Sequence, residues 1–189
     1  EFIPVTAHGV KLLSMGLLIN ESDPVAVRGP LATRYVQQFL RNVAWGDVDF
    51  LILDLPPGTG DIQLTIVQTA ELDGVVVVTT PQEVALIDAR KAIGLFERVE
   101  TPILGIIENM SYFQCPSDGK IYHIFGEGGG EREAAKLGVP LLGKIPLDIS
   151  TRFGGDEGRP VALEDPGQNP VSAAFRQVAE QCARVVLDR

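Results

Sequence analysis

Asp54 ends an apolar run and opens onto two prolines and a Gly-Thr-Gly loop in "FLILDLPPGTGD", residues 50–61. A carboxylate closing a buried strand is how many nucleotide hydrolases position Mg²⁺, often through a water, and a following glycine can offer its N–H to a terminal phosphate. The competing reading is a carboxylate that caps the next helix, a role that suits Asp61 better. Three further residues have chemistry worth weighing. Asn109, after "PILGIIE", carries an amide able to donate to and accept from a purine edge, or it is a turn residue at a strand end. Asp148 in "KIPLDIS" reads first as the N-cap of a short helix. Cys115 in "YFQCPSDGKIYH" would need a second cysteine two or three residues away to begin a metal site, but position 118 is Asp118 and the nearest other soft ligand is His123. With His123 it makes at best half a site, so on spacing alone Cys115 reads first as an unligated loop thiol. Cys182 falls on an apolar helical stripe and reads as core, and His8 has no partner at ligand spacing.

A site that hydrolyses a phosphoanhydride also calls for a phosphate-cradling G-x-x-x-x-G-K-[ST] loop. The lysines are Lys11, Lys91, Lys120, Lys136 and Lys144, and none precedes Ser or Thr. No such loop occurs in this sequence.

The elements that must position these residues alternate along the chain. "GVKLLSMGLLI" (Gly9 to Ile19) reads as a buried strand, and Pro30 opens a helix running to about Trp45 with Leu31, Tyr35, Phe39, Leu40 and Val43 on one face. "DFLILD" is a short strand, "IQLTIVQTAEL" a helix, and "GVVVVTT" a parallel strand covered on both faces. Pro81 stops that strand. A helix follows over Glu83 to Val99, then the strand "PILGIIEN", a short helix from Glu131 to Leu137, and the strand "PLLGKIP". From Pro170 a helix carries Val171, Ala174, Phe175, Val178, Cys182, Val185 and Val186 on one apolar stripe. Alternation of this kind predicts an α/β fold, a parallel doubly wound sheet with flanking helices and right-handed crossovers. Ligands of such sheets bind beyond the carboxyl ends of the strands, where Asp54, Thr79-Thr80, Glu108 and Pro146 are all expected to open on one rim. The glycine-rich "HIFGEGGGERE" is the stretch expected to be mobile.

Length and composition bound the functional classes. At 189 residues, 45% apolar and 22% charged, the chain is the size of one large domain, expected to span 1–189. A net charge of −9 argues against a broad grip on nucleic acid, though not against a small phosphate ligand held by a local loop. The longest apolar runs are strand-sized, well short of the ~20 residues of a membrane span. With two cysteines and no signal-peptide pattern at its start, a reduced, cytoplasmic location is expected.

Taken in order, "RGP" (28–30), "LDLPPGTGD" (53–61), "VVTTPQEVALID" (77–88), "LGIIENMSYFQCP" (104–116), "FGEGGG" (125–130) and "LLGKIPLD" (141–148) closely resemble the Mrp/ApbC family. These are P-loop ATPases that carry iron–sulphur clusters, within the MinD/ParA-like deviant Walker A group. The resemblance covers nearly the whole chain and implies an ATP-dependent carrier that transfers clusters to apoproteins. By the same resemblance Asp54 is the Walker B aspartate near Mg²⁺, and Gly58 the glycine whose backbone senses the γ-phosphate. Asn109 is implied to contact adenine, with Pro146 to Asp148 lining the base, and Cys115 to be the first cysteine of a C-P-x-C pair. That pair holds a [4Fe-4S] cluster between two subunits of a homodimer.

Two departures qualify what the resemblance implies. The family begins with a strand, a GKGGVGKS-type loop and a switch I aspartate ahead of the segment matching Gly9, so this chain is expected to be the C-terminal two-thirds of the ATPase domain and to be inactive alone as an ATPase. Asp118 stands where the family usually has cysteine, so two subunits bring two thiolates rather than the four that clusters prefer. The alternative is a MinD/ParA-like switch that answers to nucleotide and carries no cluster.

Overall fold

The computed structural model describes residues 2–17, 29–56, 58 and 60–188. The chain forms two compact units, Glu1–Leu72 and Asp73–Arg189.

In the first unit, β1 (Val5–Ala7) and β2 (Val10–Leu12) form an antiparallel hairpin with Ala7 opposite Val10. His8 and Gly9 make the turn with φ of 52° and 80°, the left-handed pair that suits the twist of a tight hairpin. This turn overrides the buried strand expected over Gly9 to Ile19. It folds the run back on Val5–Ala7, and a short 3-10 helix, Met15–Leu17, follows. Val10 and Leu12 stay 62% and 50% exposed, while Leu18 and Ile19 lie outside the described residues.

The expected second element is present as α1 (Gly29–Arg41), but it stops short of Trp45. Tertiary pairing decides this: Val43 bridges Phe2 in parallel fashion, Phe2 and Phe39 meet edge to face at 6.4 Å, and the Trp45 indole donates to the Phe39 carbonyl at 3.1 Å. "DFLILD" forms no strand. A strand exists only where a neighbour takes up its backbone N–H and C=O groups, and none of the described residues pairs with this segment. Phe50, Leu51 and Ile52 are exposed, Ile52 to 87%. The next helix, α2 (Asp61–Thr69), ends before the expected Leu72.

In the second unit, β3 (Val75–Thr79), β4 (Ile103–Glu108) and β7 (Leu141–Lys144) form a parallel sheet in the order β3-β4-β7. Between them run α3 (Glu83–Arg98), a small hairpin of β5 (Phe113–Gln114) and β6 (Ile121–Tyr122), and α4 (Gly129–Leu137). The chain finishes with α5 (Ile149–Asp156) and α6 (Pro170–Leu187). The alternation therefore builds the expected α/β architecture of a parallel sheet with flanking helices.

The core gathers Val77, Ile93, Ile106 and Ala134 from β3, α3, β4 and α4, with Leu137 and Val139 packed against it. Apolar spacing on α3 places Leu86, Ile93 and Phe96 inside, as its 3.6-residue period requires. Helix α6 lies so close on β7 that a Cβ on Gly143 would come within 2.5 Å of Val178 Cγ2. Continuous apolarity in "VVVV" suggested cover on both faces of β3. Instead Val78 is 59% exposed, and among the described residues β3 pairs on one side only, with β4.

A charged tie joins α3 to α4. Arg90 grips the buried Glu133 with two bonds, Nε to Oε2 at 2.9 Å and Nη2 to Oε1 at 2.6 Å, and Lys136 adds a third at 2.8 Å. The Arg90 bonds, then the Lys136 bond, hold the Glu133 carboxyl down to about 2 from an ordinary 4.5. A carboxylate depressed on folding adds stability that is fully present above its unfolded pKa and is lost as pH falls through the folded one. Glu133→Gln should therefore lower the thermal midpoint at pH 7 by roughly 2–6 °C. The gap from the parent should close between pH 4.5 and 2, as read by circular dichroism melts across that range.

Candidate functional site

Register brings the three strand ends level. Thr79 pairs with Glu108, and Glu108 with Lys144, so the loops after β3, β4 and β7 leave the sheet side by side. Beyond the strand ends the chain keeps its pairing. The Asn109 backbone N–H donates to the Thr79 carbonyl at 2.7 Å, Ser111 N to Ile145 O at 2.9 Å, Ile145 N to Glu108 O at 2.9 Å, and Leu147 N to Tyr112 O at 2.7 Å. A bridge between Phe113 and Leu147 continues the line. Asn109 is thus placed on the loop that runs beside Ile145, Pro146 and Leu147, two of the predicted site segments brought together.

Asn109 is half-buried and its Oδ1 accepts from Met110 N at 2.9 Å, the turn geometry foreseen as its alternative role. Met110 itself takes φ of 51°, an uncommon backbone for a side-chain-bearing residue. Pro146 is half-buried in the adjoining segment. Asp148 is the N-cap of α5: its Oδ2 accepts from Thr151 N at 2.8 Å, from Thr151 Oγ1 at 3.1 Å and from Ser150 Oγ. Burial pushes the Asp148 carboxyl up, but these bonds outweigh it and hold the group below its ordinary range.

Behind the rim sits Glu108, wholly buried at the end of the middle strand. Its Oε1 accepts from Ser111 Oγ at 2.5 Å and its Oε2 from Gly130 N at 2.6 Å. Within the glycine-rich stretch 123–133, Gly129 and Gly130 begin the first turn of α4 and are buried. Close approach explains the glycines, since a Cβ on Gly129 would lie 2.5 Å from the Pro81 carbonyl oxygen and one on Gly130 3.1 Å from Glu108 Cβ. Only a backbone without side chains lets the helix start reach the carboxylate.

Cys115 opens the loop of the β5-β6 hairpin. Its N–H donates to the Lys120 carbonyl and its carbonyl accepts from Gly119 N, both at 2.8 Å. The thiol shares a 3.1 Å hydrogen bond with Ser117 Oγ, and this bond, then the Ser117 and Asp118 backbone amides, hold it below its ordinary range. Asp118 shares this loop but turns largely to Lys120, accepting from its N–H at 3.0 Å and pairing with its ammonium at 3.5 Å. The described residues contain no group of three or more His, Cys, Asp and Glu able to hold a metal. Cys182, expected in the core, is only half-buried on α6, where burial pushes its thiol up.

In the first unit Asp54 is exposed on the unpaired segment, and Gly58 adopts φ of 102°, a conformation glycine tolerates best. Sequence reasoning missed the residue that shapes this loop. Gln63, 3% exposed in the first turn of α2, donates from Nε2 to the Pro56 and Gly58 carbonyls at 2.9 and 2.8 Å and accepts at Oε1 from Gly60 N at 3.0 Å. The helix begins with Gly60 at its N-cap, so Asp61 is not the cap residue expected. The signal of Gln63 was a glutamine three residues after a glycine at a helix start; Glu108, expected to open on the rim, is instead wholly buried.

The parallel sheet with flanking helices makes the second unit an α/β fold of the kind whose ligands bind beyond the carboxyl ends of the strands. Residues 1–183 match the family described as "ParA: NUBPL iron-transfer P-loop NTPase", and the chain belongs to that family. Among curated relatives, the iron-sulfur cluster carrier protein of Pyrococcus furiosus is 48% identical over 187 residues, covering 96% of this chain and 63% of its own length. The iron-sulfur protein required for NADH dehydrogenase, mitochondrial, of Arabidopsis thaliana is 46% identical, covering 97% and 58%. Of solved structures, the nucleotide-binding protein of Archaeoglobus fulgidus in complex with ADP superimposes with a TM-score of 0.70 at 39% identity, covering 83% of this chain and 61% of that one. The cell division ATPase MinD of Pyrococcus furiosus shares the fold at a TM-score of 0.58. The chain thus spans between half and two-thirds of the length of the curated relatives it matches.

The thiol geometry has a direct consequence. Ser117→Ala removes the largest contribution holding the Cys115 thiol low, so the pH midpoint of its alkylation should rise and its rate at neutral pH fall. Site-resolved mass spectrometry with iodoacetamide checks this, Cys182 serving as the internal control; an unchanged profile would refute the assignment.

Proposed function

We propose that this protein acts as an ATP-dependent iron–sulphur cluster carrier that delivers clusters to apoproteins as a cytoplasmic homodimer. The observation that carries the reading is the continuous segment from Asn109 to Cys115, stitched along 145–147 and set in a chain whose relatives are named as cluster carriers. Asn109 and Pro146 supply polar and apolar contacts to a base, and Asp148 fixes the start of α5 beside them. Asp54 is an exposed carboxylate suited to the water shell of Mg²⁺, and Gly58 presents backbone to a terminal phosphate. The nucleotide with its Mg²⁺ would supply the free energy that changes dimer geometry.

The cluster, as cargo, would be met by Cys115 of each subunit. Its neighbour at the second position of the pair is Asp118, a harder ligand already paired with Lys120. That observation favours one second reading, a MinD/ParA-like switch that binds partners according to nucleotide and carries no cluster.

One measurement separates these readings, and a second tests the polypeptide itself. The protein expressed from its whole reading frame, reconstituted anaerobically with iron and sulphide, should bind both and pass them to an apo-ferredoxin. Bound ATP without iron or acid-labile sulphide would establish the switch instead. The 189-residue polypeptide itself, which has no G-x-x-x-x-G-K-[ST] loop, should hydrolyse no ATP. Phosphate release that Asp54→Ala abolishes would overturn that expectation.

A further inference from the structure

We propose that Glu108 is a positioning residue that locks the Asn109 turn, the Cys115 hairpin and the start of α4 into one mechanical unit. The functional meaning of this rests on the reading above; the coupling itself rests on geometry alone.

A carboxylate with no exposed surface must take its hydrogen bonds from the protein, and a buried acceptor left without a donor is costly. Glu108 divides its two oxygens between two pieces of chain. Oε1 holds Ser111, the residue that closes the turn carrying Asn109, and Oε2 holds Gly130 in the first turn of α4. Neither piece touches the other through these groups, so Glu108 is the shared partner. Its own backbone carbonyl accepts from Ile145, and Ser111 donates its N–H back to the Ile145 carbonyl, closing a ring around the residue. Two residues after Ser111, Phe113 starts the hairpin whose loop holds Cys115.

Several features fit a lock better than a filler. Met110, inside the turn, is held at a positive φ that costs free energy unless surrounding contacts over-determine it. Gly129 and Gly130 leave no side chain between α4 and the residues it covers, Pro81 and Glu108. An apolar side chain at 108 would fill the volume and give neither contact. A displacement at Asn109 therefore reaches Ser111, Glu108 and α4 together, and the hairpin bearing Cys115 leaves from the same turn.

The test uses the 189-residue chain and needs neither nucleotide nor cluster. Ser111→Ala deletes one hydroxyl and leaves the Glu108 to Gly130 bond in place, so it avoids the risk that Glu108→Gln fails to fold. Hydrogen exchange read by mass spectrometry should rise about tenfold in 109–115, the scale of one lost bond to a carboxylate. Exchange should rise by a smaller factor in 128–132 as well, which Ser111 does not contact, and Cys115 alkylation should change rate in the same variant. Glu131→Gln, which removes only the surface pair with Lys144, should leave both segments unchanged. An effect of Ser111→Ala confined to 109–113, with 128–132 and Cys115 reactivity as in the parent, would overturn the coupling. A loss of cluster binding or ATP binding in the whole protein would bear on the proposed function and leave this result standing.

Discussion

A carboxylate sealed from water can be satisfied only by donors the fold brings to it, and the second unit is arranged so that Glu108 has two. The strand that carries it must be central, its neighbours must end level with it, and the helix facing it must begin with residues that have no side chain. Each condition constrains a different part of the chain. The middle position of β4 fixes the sheet order, the level ends fix which loops meet, and the glycine run fixes where α4 starts. Once these hold, the turn at 109–111 has one place to go.

Electrostatics serve the same end away from the rim. The chain is strongly acidic, yet Glu133, which with Glu108 is buried among the described residues, is matched by Arg90 and Lys136. Arg90 suits this post because its planar guanidinium grips both carboxylate oxygens at once. The result joins α3 to α4, the helix whose first turn meets Glu108. Surface pairs such as Lys91 with Asp88 contribute little beside it.

The two candidate chemistries differ in how firmly they are built. Residues on the rim of the sheet have their backbone pairing carried past the strand ends, so a base contacting Asn109 and Pro146 would meet preorganised surfaces. Cys115 is held by its hairpin and activated by Ser117, but it is joined by a carboxylate rather than a second thiol. In the first unit, Gln63 shapes the loop that follows Asp54 through three hydrogen bonds, while Asp54 itself remains in water on an unpaired segment.

By itself the sequence determined the alternation of strands and helices in the second unit, because burial on a parallel sheet leaves a period that neighbouring residues reveal. It also determined the identities at Asp54, Gly58, Asn109, Cys115 and Asp118, the helix cap at Asp148, and the lack of a lysine-bearing phosphate loop. The first unit was less legible: the apolar runs at 9–17 and 49–54 carry strand composition, but a strand is a relation between segments, and among the described residues Val10–Leu12 pairs in a hairpin while 49–54 pairs with none. Only tertiary structure decided that Thr79, Glu108 and Lys144 end level, that β3 pairs on one side only among the described residues, and that Gly130 reaches Glu108 across 22 positions of chain. Such contacts depend on register and on close backbone approach between distant segments. Local composition records which residues prefer burial, and says nothing of which distant donor a buried acceptor will meet.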